Sequence, residues 1–159
     1  MAMYEGFREK MNDVDNGLGI PVVLDGDARL PEFAHAGDAG ADLRSVERVV
    51  LHPLERKLVH TGVHVELPED RLMWVTPRSG LAVKKGISIV NAPGLIDSGY
   101  RGEVCVCLVN LSDETVVLEA GERIAQAVVQ GFDAPCYHAV TVLSGSERGD
   151  DGFGSTGRK

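Results

Sequence analysis

The chain is poor in several residue classes, and each shortage excludes a class of protein. Aromatic residues make up only 5% of its 159 residues. No run approaches the ~18 apolar residues that a membrane-spanning helix needs, and the polar N-terminus lacks the apolar segment of a secretory signal peptide. The three cysteines, Cys105, Cys107 and Cys136, contain no C-x-x-C pair, so we expect neither a disulfide framework nor a zinc site. We therefore predict a protein of the reducing cytoplasm with no membrane partner.

Positive charge is scarce as well. Lys and Arg number 16 against 24 Asp and Glu, which gives a formal net charge of −8. Proteins that bind long nucleic acids concentrate positive charge in order to neutralise phosphates, so the composition argues against a nucleic-acid partner. A small phosphorylated ligand stays compatible with it, because a few basic residues can bind such a ligand inside an acidic protein.

Glycine, in contrast, is abundant: 19 Gly and 7 Pro make a turn-rich chain that is 43% hydrophobic. This length and apolar content predict one domain with its own core, which we place at residues 20–143. Residues 1–19 are polar and without pattern, and residues 144–159 are rich in Gly, Ser and charge. We predict a disordered N-terminal extension and a flexible C-terminal arm.

Alternation of apolar and polar residues predicts β-strands along most of the chain. Turn residues separate these runs at intervals of about 8–12 residues, as in antiparallel sandwiches and barrels. Residues 79–85 predict one short helix that Gly86 would terminate. Residues 122–130 fit both a helix and a strand, and the all-β surroundings favour the strand. The other runs interpreted as strands are 22–24, 48–51, 58–67, 72–76, 87–90, 103–111, 115–118 and 140–143.

Residues 76–81, Thr-Pro-Arg-Ser-Gly-Leu, have the composition of an anion-binding site. The Arg78 guanidinium is a bidentate donor, the Ser79 hydroxyl adds another, and backbone N–H groups at the start of the predicted helix favour negative charge. An ordinary capped turn would use the same residues, so the segment alone leaves both interpretations open.

Residues 91–103 place a carboxylate, Asp97, among apolar neighbours in a predicted hairpin. Such a carboxylate can act as a general base toward water, and Tyr100 offers a flat wall for a ring. The alternative is a hairpin in which Asp97 caps a turn while Arg101 and Glu103 are solvated edge charges. Spacing alone favours this alternative.

Residues 148–157, Arg-Gly-Asp-Asp-Gly-Phe-Gly-Ser-Thr-Gly, combine a glycine-rich backbone with hydroxyl groups. Such a segment can wrap phosphates, and Phe153 could stack on a base. A flexible tail is the usual interpretation of this composition, although a lone Phe between glycines is unusual in a linker.

These segments, in this order, resemble the motifs of the trimeric dUTPases (deoxyuridine 5′-triphosphate nucleotidohydrolases). The resemblance extends over residues 20–157, and its most specific parts are the third motif and the C-terminal Gly-Phe-Gly-Ser-Thr-Gly. The resemblance favours anion binding, a general base and phosphate wrapping for the three segments over a capped turn, an ordinary hairpin and a flexible tail. The five matching stretches are 39–43, 77–80, 94–103, 123–126 and 148–157.

The resemblance implies an all-β fold, a jelly-roll-like β-barrel that forms homotrimers with active sites at the subunit interfaces. It implies hydrolysis of dUTP to dUMP and pyrophosphate, which limits uracil incorporation into DNA and supplies dUMP for dTMP synthesis. Asp97 would be the general base that activates water for attack on the α-phosphorus. Mg²⁺ would bind the triphosphate as a cofactor, with Asp42 contacting the ion through water.

The remaining site residues follow from the same resemblance. Asn91 and the backbone around Gly94 would pair with the uracil edge, and Tyr100 would pack under the deoxyribose and exclude a 2′-hydroxyl. The residues that would bind phosphates are Arg78, Ser79, Gly80 and Gln126. The C-terminal tail would close the site as a lid, with Phe153 on uracil. The other lid residues in contact with substrate would be Arg148, Gly154, Ser155 and Thr156.

Two other functions stay open at this point. A dCTP deaminase, or a bifunctional deaminase–diphosphatase, has a related fold but needs a catalytic Glu near the base amino group. A non-enzymatic nucleotide-binding protein on this scaffold would be expected to lack Asp97 or the C-terminal motif, and both are present. The histidines have no metal-ligand spacing and are interpreted as structural or surface residues. They are His35, His52, His60, His64 and His138.

Overall fold

The strands of this chain are short and numerous. The computed structural model describes residues 18–147 and 149–150, and within them the chain forms eleven β-strands and one α-helix. In chain order these are β1 (Val22–Leu24), β2 (Ala41–Arg44), β3 (Val49–Leu51), β4 (Arg56–Val59), β5 (Val63–Val65), β6 (Arg71–Pro77), α1 (Ser79–Lys85), β7 (Ile87–Ile89), β8 (Gly94–Ile96), β9 (Val106–Asn110), β10 (Val116–Leu118) and β11 (Arg123–Gly131).

The described strands form four antiparallel sheets. The largest has the order β2-β11-β6-β8, and β11 pairs with the whole length of β6, from Ala125 opposite Pro77 to Gly131 opposite Arg71. The others have the orders β4-β9-β7, β10-β3 and β1-β5. Their hydrogen bonds do not close into one continuous barrel. The predicted all-β class with one short helix is confirmed.

One apolar core joins the sheets, because alternate residues of most strands point inward. In β9 every second residue is buried: Val106, Leu108 and Asn110. Asn110 is the polar member of this row, and its side-chain amide donates to the carbonyls of Leu51 (3.0 Å) and Glu114 (2.7 Å). Both amide hydrogens therefore have acceptors, which removes the cost of burying them.

The helix occupies the predicted residues Ser79–Lys85. Arg78 is its N-terminal cap residue and makes no side-chain capping hydrogen bond. Gly86 ends the helix with a φ of 65° and donates its N–H to the carbonyl of Ala82 at 3.1 Å, a left-handed conformation that glycine adopts without steric cost. No described segment is a helix that could span a lipid bilayer.

Most of the predicted strands are confirmed, but three predictions need correction. Residues 58–67 are not one strand, because β4 and β5 are separated at a break that contains Gly62, whose φ is 65°. Of residues 103–111, only Val106–Asn110 form a strand. Residues 140–143 form no strand, and their apolar side chains are exposed, with Val142 at 79%. In addition, β2 and β8 were absent from the predicted strand runs, although a hairpin was predicted at residues 91–103.

Candidate active site

An acidic side chain and two arginines meet at one end of the largest sheet. Asp42, on β2, is only 4% exposed. Arg78 Nε donates to Asp42 Oδ1 (2.8 Å), and Arg123 Nη1 donates to Asp42 Oδ2 (3.0 Å). Charge-assisted hydrogen bonds of this kind fix the direction of each guanidinium. The cluster has one negative and two positive charges, and therefore a net positive charge in an acidic protein.

Strand pairing brings this cluster together from distant parts of the chain. Gln126, in β11, lies opposite Asp42 of β2 on one side and opposite Thr76 of β6 on the other. Arg78 follows β6 directly. Gly40 permits the close approach of β2 and β11, since a Cβ at Gly40 would lie 3.2 Å from Gln126 Cβ. The structure thus places the predicted residues Asp42, Arg78 and Gln126 at one site.

An open cleft of about 510 Å³ borders the cluster. Four of its lining residues are arginines, and Glu122 is the acidic one. The Nε atom of one of them, Arg44, is buried without a hydrogen-bond partner among the described residues. Positive charge is therefore concentrated here in a chain whose net charge is −8, and such a cleft attracts a compact anion. The four arginines are Arg29, Arg44, Arg78 and Arg123.

Ser79 and Gly80 begin α1 directly beside Arg78, and both are exposed. A Cβ at Gly80 would have no described atom within 4 Å, so the start of the helix is open to a ligand. Because α1 has only seven residues, its dipole is small, and the arginines supply most of the attraction for an anion.

The second group of predicted site residues lies on the hairpin around β8. Gly94 is buried opposite Val75 of β6. The side chain of Asn91 approaches Gly94, with its Nδ2 atom 3.5 Å from the position that a Cβ would take there. Asp97 follows the end of β8 and is exposed.

A tight turn fixes Tyr100 beside this strand. Its N–H donates to the carbonyl of Asp97 (3.1 Å), and its hydroxyl donates to the carbonyl of Glu103 (3.0 Å). Arg101 Nη1 donates to the carbonyls of Ser98 (2.6 Å) and Tyr100 (2.9 Å). Arg101 therefore braces the turn, and it is not the free edge charge of the alternative interpretation.

Strand register separates Asp97 from Arg78 within one chain. Because β8 is antiparallel to β6, Gly94 lies opposite Val75, and Ile96 lies opposite Met73. Asp97 comes one residue beyond that pair, whereas Arg78 comes five residues after Met73 in the other direction. The two levels are therefore six residues apart, which at about 3.3 Å per residue is about 20 Å along the strands. One chain therefore does not bring Asp97 and Arg78 to the same substrate-sized site.

Glu103 is a partly buried carboxylate that anchors a neighbouring loop, and it is not the solvated edge charge of the alternative interpretation. Its Oε1 accepts hydrogen bonds from the N–H groups of Thr61 (2.9 Å) and Gly62 (2.7 Å), and its Oε2 lies 2.7 Å from His60 Nδ1. Burial alone would raise the pKa of Glu103, but the hydrogen bonds from His60 and Gly62 outweigh it and lower the pKa to about 2. Burial and the neighbouring Glu103 raise the pKa of the Cys105 thiol to about 11.

Several site features were absent from the sequence prediction. Arg29 and Arg44 line the cleft but stand in no charged motif that would single them out. Arg123 begins the fourth motif, so its place in the site could have been suspected. The predicted lid residues lie outside the described residues. They are Arg148, Phe153, Gly154, Ser155 and Thr156.

Comparison with known proteins gives a consistent family. A family model described as dUTPase matches residues 27–157. The deoxyuridine 5′-triphosphate nucleotidohydrolase of Clostridium novyi is 49% identical over 130 residues, which are 82% of this chain and 92% of that protein.

Solved structures agree with the sequence relatives. The dUTPase of Staphylococcus bacteriophage 80alpha with dUPNHPP has a TM-score of 0.82 at 34% identity, covering 87% of this chain and 98% of that one. A mutant dUTPase of S. aureus phage phi11, which coordinates a structural Mg(II) ion, has a TM-score of 0.75 at 28% identity, covering 80% of this chain and 100% of that one.

Proposed function

The chain belongs to the dUTPase family, and on this premise we propose that it hydrolyses dUTP to dUMP and pyrophosphate. The observation that carries the proposal is the arginine-lined cleft at Asp42, where guanidinium groups are held in fixed directions in an otherwise acidic protein. The reaction would limit uracil incorporation into DNA and supply dUMP for dTMP synthesis.

Asp97 is the proposed general base. Its carboxylate takes a proton from a water molecule while the water oxygen bonds to the α-phosphorus. The bond from that phosphorus to the oxygen bridging to the β-phosphorus breaks, and pyrophosphate leaves with its electron pair. The exposure of Asp97 at the end of β8 supports this role, because water and substrate can both reach the carboxylate.

The proposed phosphate-binding residues surround the start of α1. Arg78 uses its Nε for Asp42 and its Nη1 for the carbonyl of Arg123 (3.4 Å), so the remaining N–H groups, above all those of Nη2, are the donors for phosphate oxygens. Asp42 thus acts as a positioning residue for Arg78, while Gln126 approaches from β11. The phosphate-binding residues are Arg78, Ser79, Gly80 and Gln126.

Recognition of the nucleoside is proposed for the β8 hairpin. Backbone groups around Gly94, with the Asn91 amide, would pair with the uracil edge and reject cytosine, because a mispaired polar site leaves buried groups without partners. Tyr100 would pack under the deoxyribose. The support is that its N–H and its hydroxyl donate to the carbonyls of Asp97 and Glu103, so that its ring keeps one position.

The surroundings of Asp42 suit a contact with Mg²⁺ through water, and they do not suit direct coordination of the ion. Both carboxylate oxygens of Asp42 already accept hydrogen bonds from arginines, and Asp42 belongs to no group of three or more potential metal ligands among the described residues. Mg²⁺ commonly binds substrate phosphates and keeps several waters. Asp42 would contact the ion through such a water, and the bound ion would neutralise charge on the phosphate oxygens.

We also propose a homotrimer with shared active sites. Two features support a partner subunit. The strand register separates Asp97 from Arg78 by about 20 Å along the strands, which supports a site built from residues of two chains. The strandless segment after β11 exposes apolar side chains that a neighbour could cover, such as Tyr137 (91% exposed) and Leu143 (83% exposed).

The three described cysteines are free, as is usual for proteins of a reducing compartment. The cytoplasmic location, and the absence of nucleic-acid and membrane partners, stay predictions.

One assay separates the candidate functions. The protein is incubated with dUTP, dCTP, dTTP and UTP, and pyrophosphate and ammonia are both measured. We expect pyrophosphate from dUTP alone, whereas ammonia from dCTP would indicate a deaminase and neither product would indicate a binding protein.

Asp97→Asn should lower kcat by about 10²–10⁴-fold, while Asp113→Asn, which changes an exposed carboxylate in another turn, should leave it unchanged. Full activity in Asp97→Asn would exclude its role as the base.

The lid is tested by truncation. Deletion of residues 148–159 should leave folding and assembly intact and lower kcat by about 100-fold, because the substrate would lose the contacts that align its phosphate chain. Sedimentation and circular dichroism provide the control for assembly and folding. A truncated enzyme with undiminished kcat would show that the arm is no lid.

A further inference from the structure

Three potential metal ligands converge at a place that the proposed nucleotide chemistry does not use. His60 lies between β4 and β5, and Glu103 and Cys105 precede β9. The nearest ligand atoms of these three side chains all lie within 4.8 Å of one another, the one such group among the described residues. We propose that His60, Glu103 and Cys105 form a binding site for a divalent transition-metal ion of the zinc class.

The backbone holds the two segments of this site firmly together. Thr61 Oγ1 donates to the carbonyl of Val104 (2.6 Å), and the Val104 N–H donates to the carbonyl of Val63 (2.8 Å). Both Thr61 and Val104 are buried, at 1% and 0% exposure. The ligands therefore stand on segments that are fixed by buried hydrogen bonds.

The distances suit a tetrahedral ion. With Zn–S of about 2.3 Å and Zn–N of about 2.0–2.1 Å, a tetrahedral angle puts sulfur and nitrogen about 3.6 Å apart. The observed separation of Cys105 Sγ and His60 Nδ1 is 3.6 Å. His60 Nδ1 lies 2.7 Å from Glu103 Oε2 and would have to move away from it by less than ~1 Å. The imidazole is free to do so, because the His60 side chain is 52% exposed.

The Glu103 carboxylate is already oriented for this role. Its Oε1 is held by the Thr61 and Gly62 N–H groups, so the other oxygen faces His60. Hydrogen bonds to a ligand from outside the coordination sphere are the usual means by which proteins orient metal ligands. Glu47 adds negative charge nearby, since its Oε1 accepts the His60 N–H at 3.2 Å.

The chemistry of the donors selects the ion. A thiolate, an imidazole and a carboxylate together favour zinc-like ions over Mg²⁺ and Ca²⁺, which prefer oxygen ligands. The thiol proton leaves to solvent when the metal binds, and the fourth coordination position stays open to water. Such an ion would link the β4–β5 junction to the start of β9. This site does not depend on the proposed function, because it uses no nucleotide.

The test uses the full chain after chelator treatment, without nucleotide, titrated with Co²⁺ in the presence of excess Mg²⁺. We expect one Co²⁺ per chain with a thiolate-to-cobalt charge-transfer absorption. Cys105→Ser should abolish that absorption, and both Cys105→Ser and His60→Gln should weaken binding by at least about tenfold. The matched controls Cys107→Ser and Cys136→Ser should bind as the parent does.

In the cobalt titration, two kinds of result would overturn the site. One is a parent protein without the charge-transfer absorption. The other is an absorption that survives Cys105→Ser or disappears equally in Cys107→Ser. A second measurement keeps the test independent of cobalt: Zn²⁺ should raise the Tm of the parent and of Cys107→Ser but leave that of His60→Gln unchanged. A Zn²⁺-induced shift of the same size in His60→Gln would also count against the proposal.

Discussion

At the scale of single residues, His64 connects two loops through both of its ring nitrogens. Its Nε2 lies 2.9 Å from Asp25 Oδ2, and its Nδ1 lies 3.1 Å from the carbonyl of Arg101. Both partners are acceptors, so only the doubly protonated imidazolium donates to both. The hydrogen bond with Asp25, and after it the one with the Arg101 carbonyl, raises the pKa of His64 above its usual value of 6.5.

This contact makes part of the stability depend on pH. Because the pKa of His64 is raised on folding, its contribution is fully present below the unfolded pKa, near 6.5, and is lost as the pH rises through the folded pKa. His64→Gln should lower the free energy of unfolding at pH 5.5 by about 0.2–1 kcal/mol, since Asp25 is largely exposed, and have little effect at pH 9. Urea unfolding across this range measures the difference, with His138→Gln as the surface control. Parallel pH profiles of the parent and His64→Gln would refute the assignment.

The histidine contacts illustrate what spacing alone cannot reveal. His64 and Asp25 are 39 residues apart, and His60 and Glu103 are 43 apart. Their meeting depends on the pairing of β1 with β5 and on the isolated bridge between His64 and Glu103. The structural interpretation of His64 agrees with its contacts. The expectation that the chain has no zinc site rested on local Cys and His spacing, which cannot detect ligands assembled by the fold.

At the scale of elements, the break between β4 and β5 has a steric cause. Apolar alternation over residues 58–67 predicts one strand, but Gly62 has a φ of 65° and turns the chain. A Cβ at Gly62 would lie 2.6 Å from Ala28 Cβ and 3.0 Å from the Asp25 carbonyl oxygen. The segments on both sides of the break are strands, as the alternation predicts. The conformation of Gly62 between them is the reason that two short strands form in place of one long strand.

Gly62→Ala should therefore destabilise the protein more than a substitution that changes only backbone freedom. Gly26 is the matched control, because its φ is also positive, at 54°, and a Cβ there meets nothing within 4 Å. We expect Gly26→Ala to cost about 1–2 kcal/mol from the left-handed conformation, and Gly62→Ala to cost about 1–3 kcal/mol more from overpacking. Chemical denaturation provides both values. Equal losses in the two variants would mean that the contact with Ala28 relaxes freely.

Local signals predicted the elements whose boundaries have local causes. Gly86 ends α1 as expected, and the apolar alternation of β11 reflects its place between β2 and β6. The same kind of signal failed at residues 140–143, where alternation suggests a covered face but no described strand pairs with the segment. Apolar alternation indicates that one face of a segment is suited to burial. It does not indicate whether the residues that bury this face belong to the same chain.

At the scale of the whole molecule, the motifs and the register give complementary information. The motifs identified Asp42, Arg78 and Gln126, which the fold assembles into one cluster with Arg123. The motifs could not show that Asp97 and Arg78 of one chain are far apart. Only the pairing of β8 with β6 fixes the distance between these two residues along the strands. If the protein is a homotrimer with shared sites, each site combines Asp97 of one chain with Arg78 of another.

Mixed assembly tests this division of the site directly. Asp97→Asn and Arg78→Ala should each be nearly inactive alone, because every site then lacks either the base or the phosphate-binding guanidinium. When the two variants are co-expressed in equal amounts and assemble at random, about one quarter of the sites receive both intact residues, since each is drawn independently from a different chain of a symmetric oligomer. The steady-state rate of pyrophosphate release should then recover to about a quarter of the parent value.

The two variants, assembled separately and mixed without exchange, are the control and should stay inactive. If Asp97 and Arg78 served one site from the same chain, no mixture could restore activity, because no chain in it carries both residues.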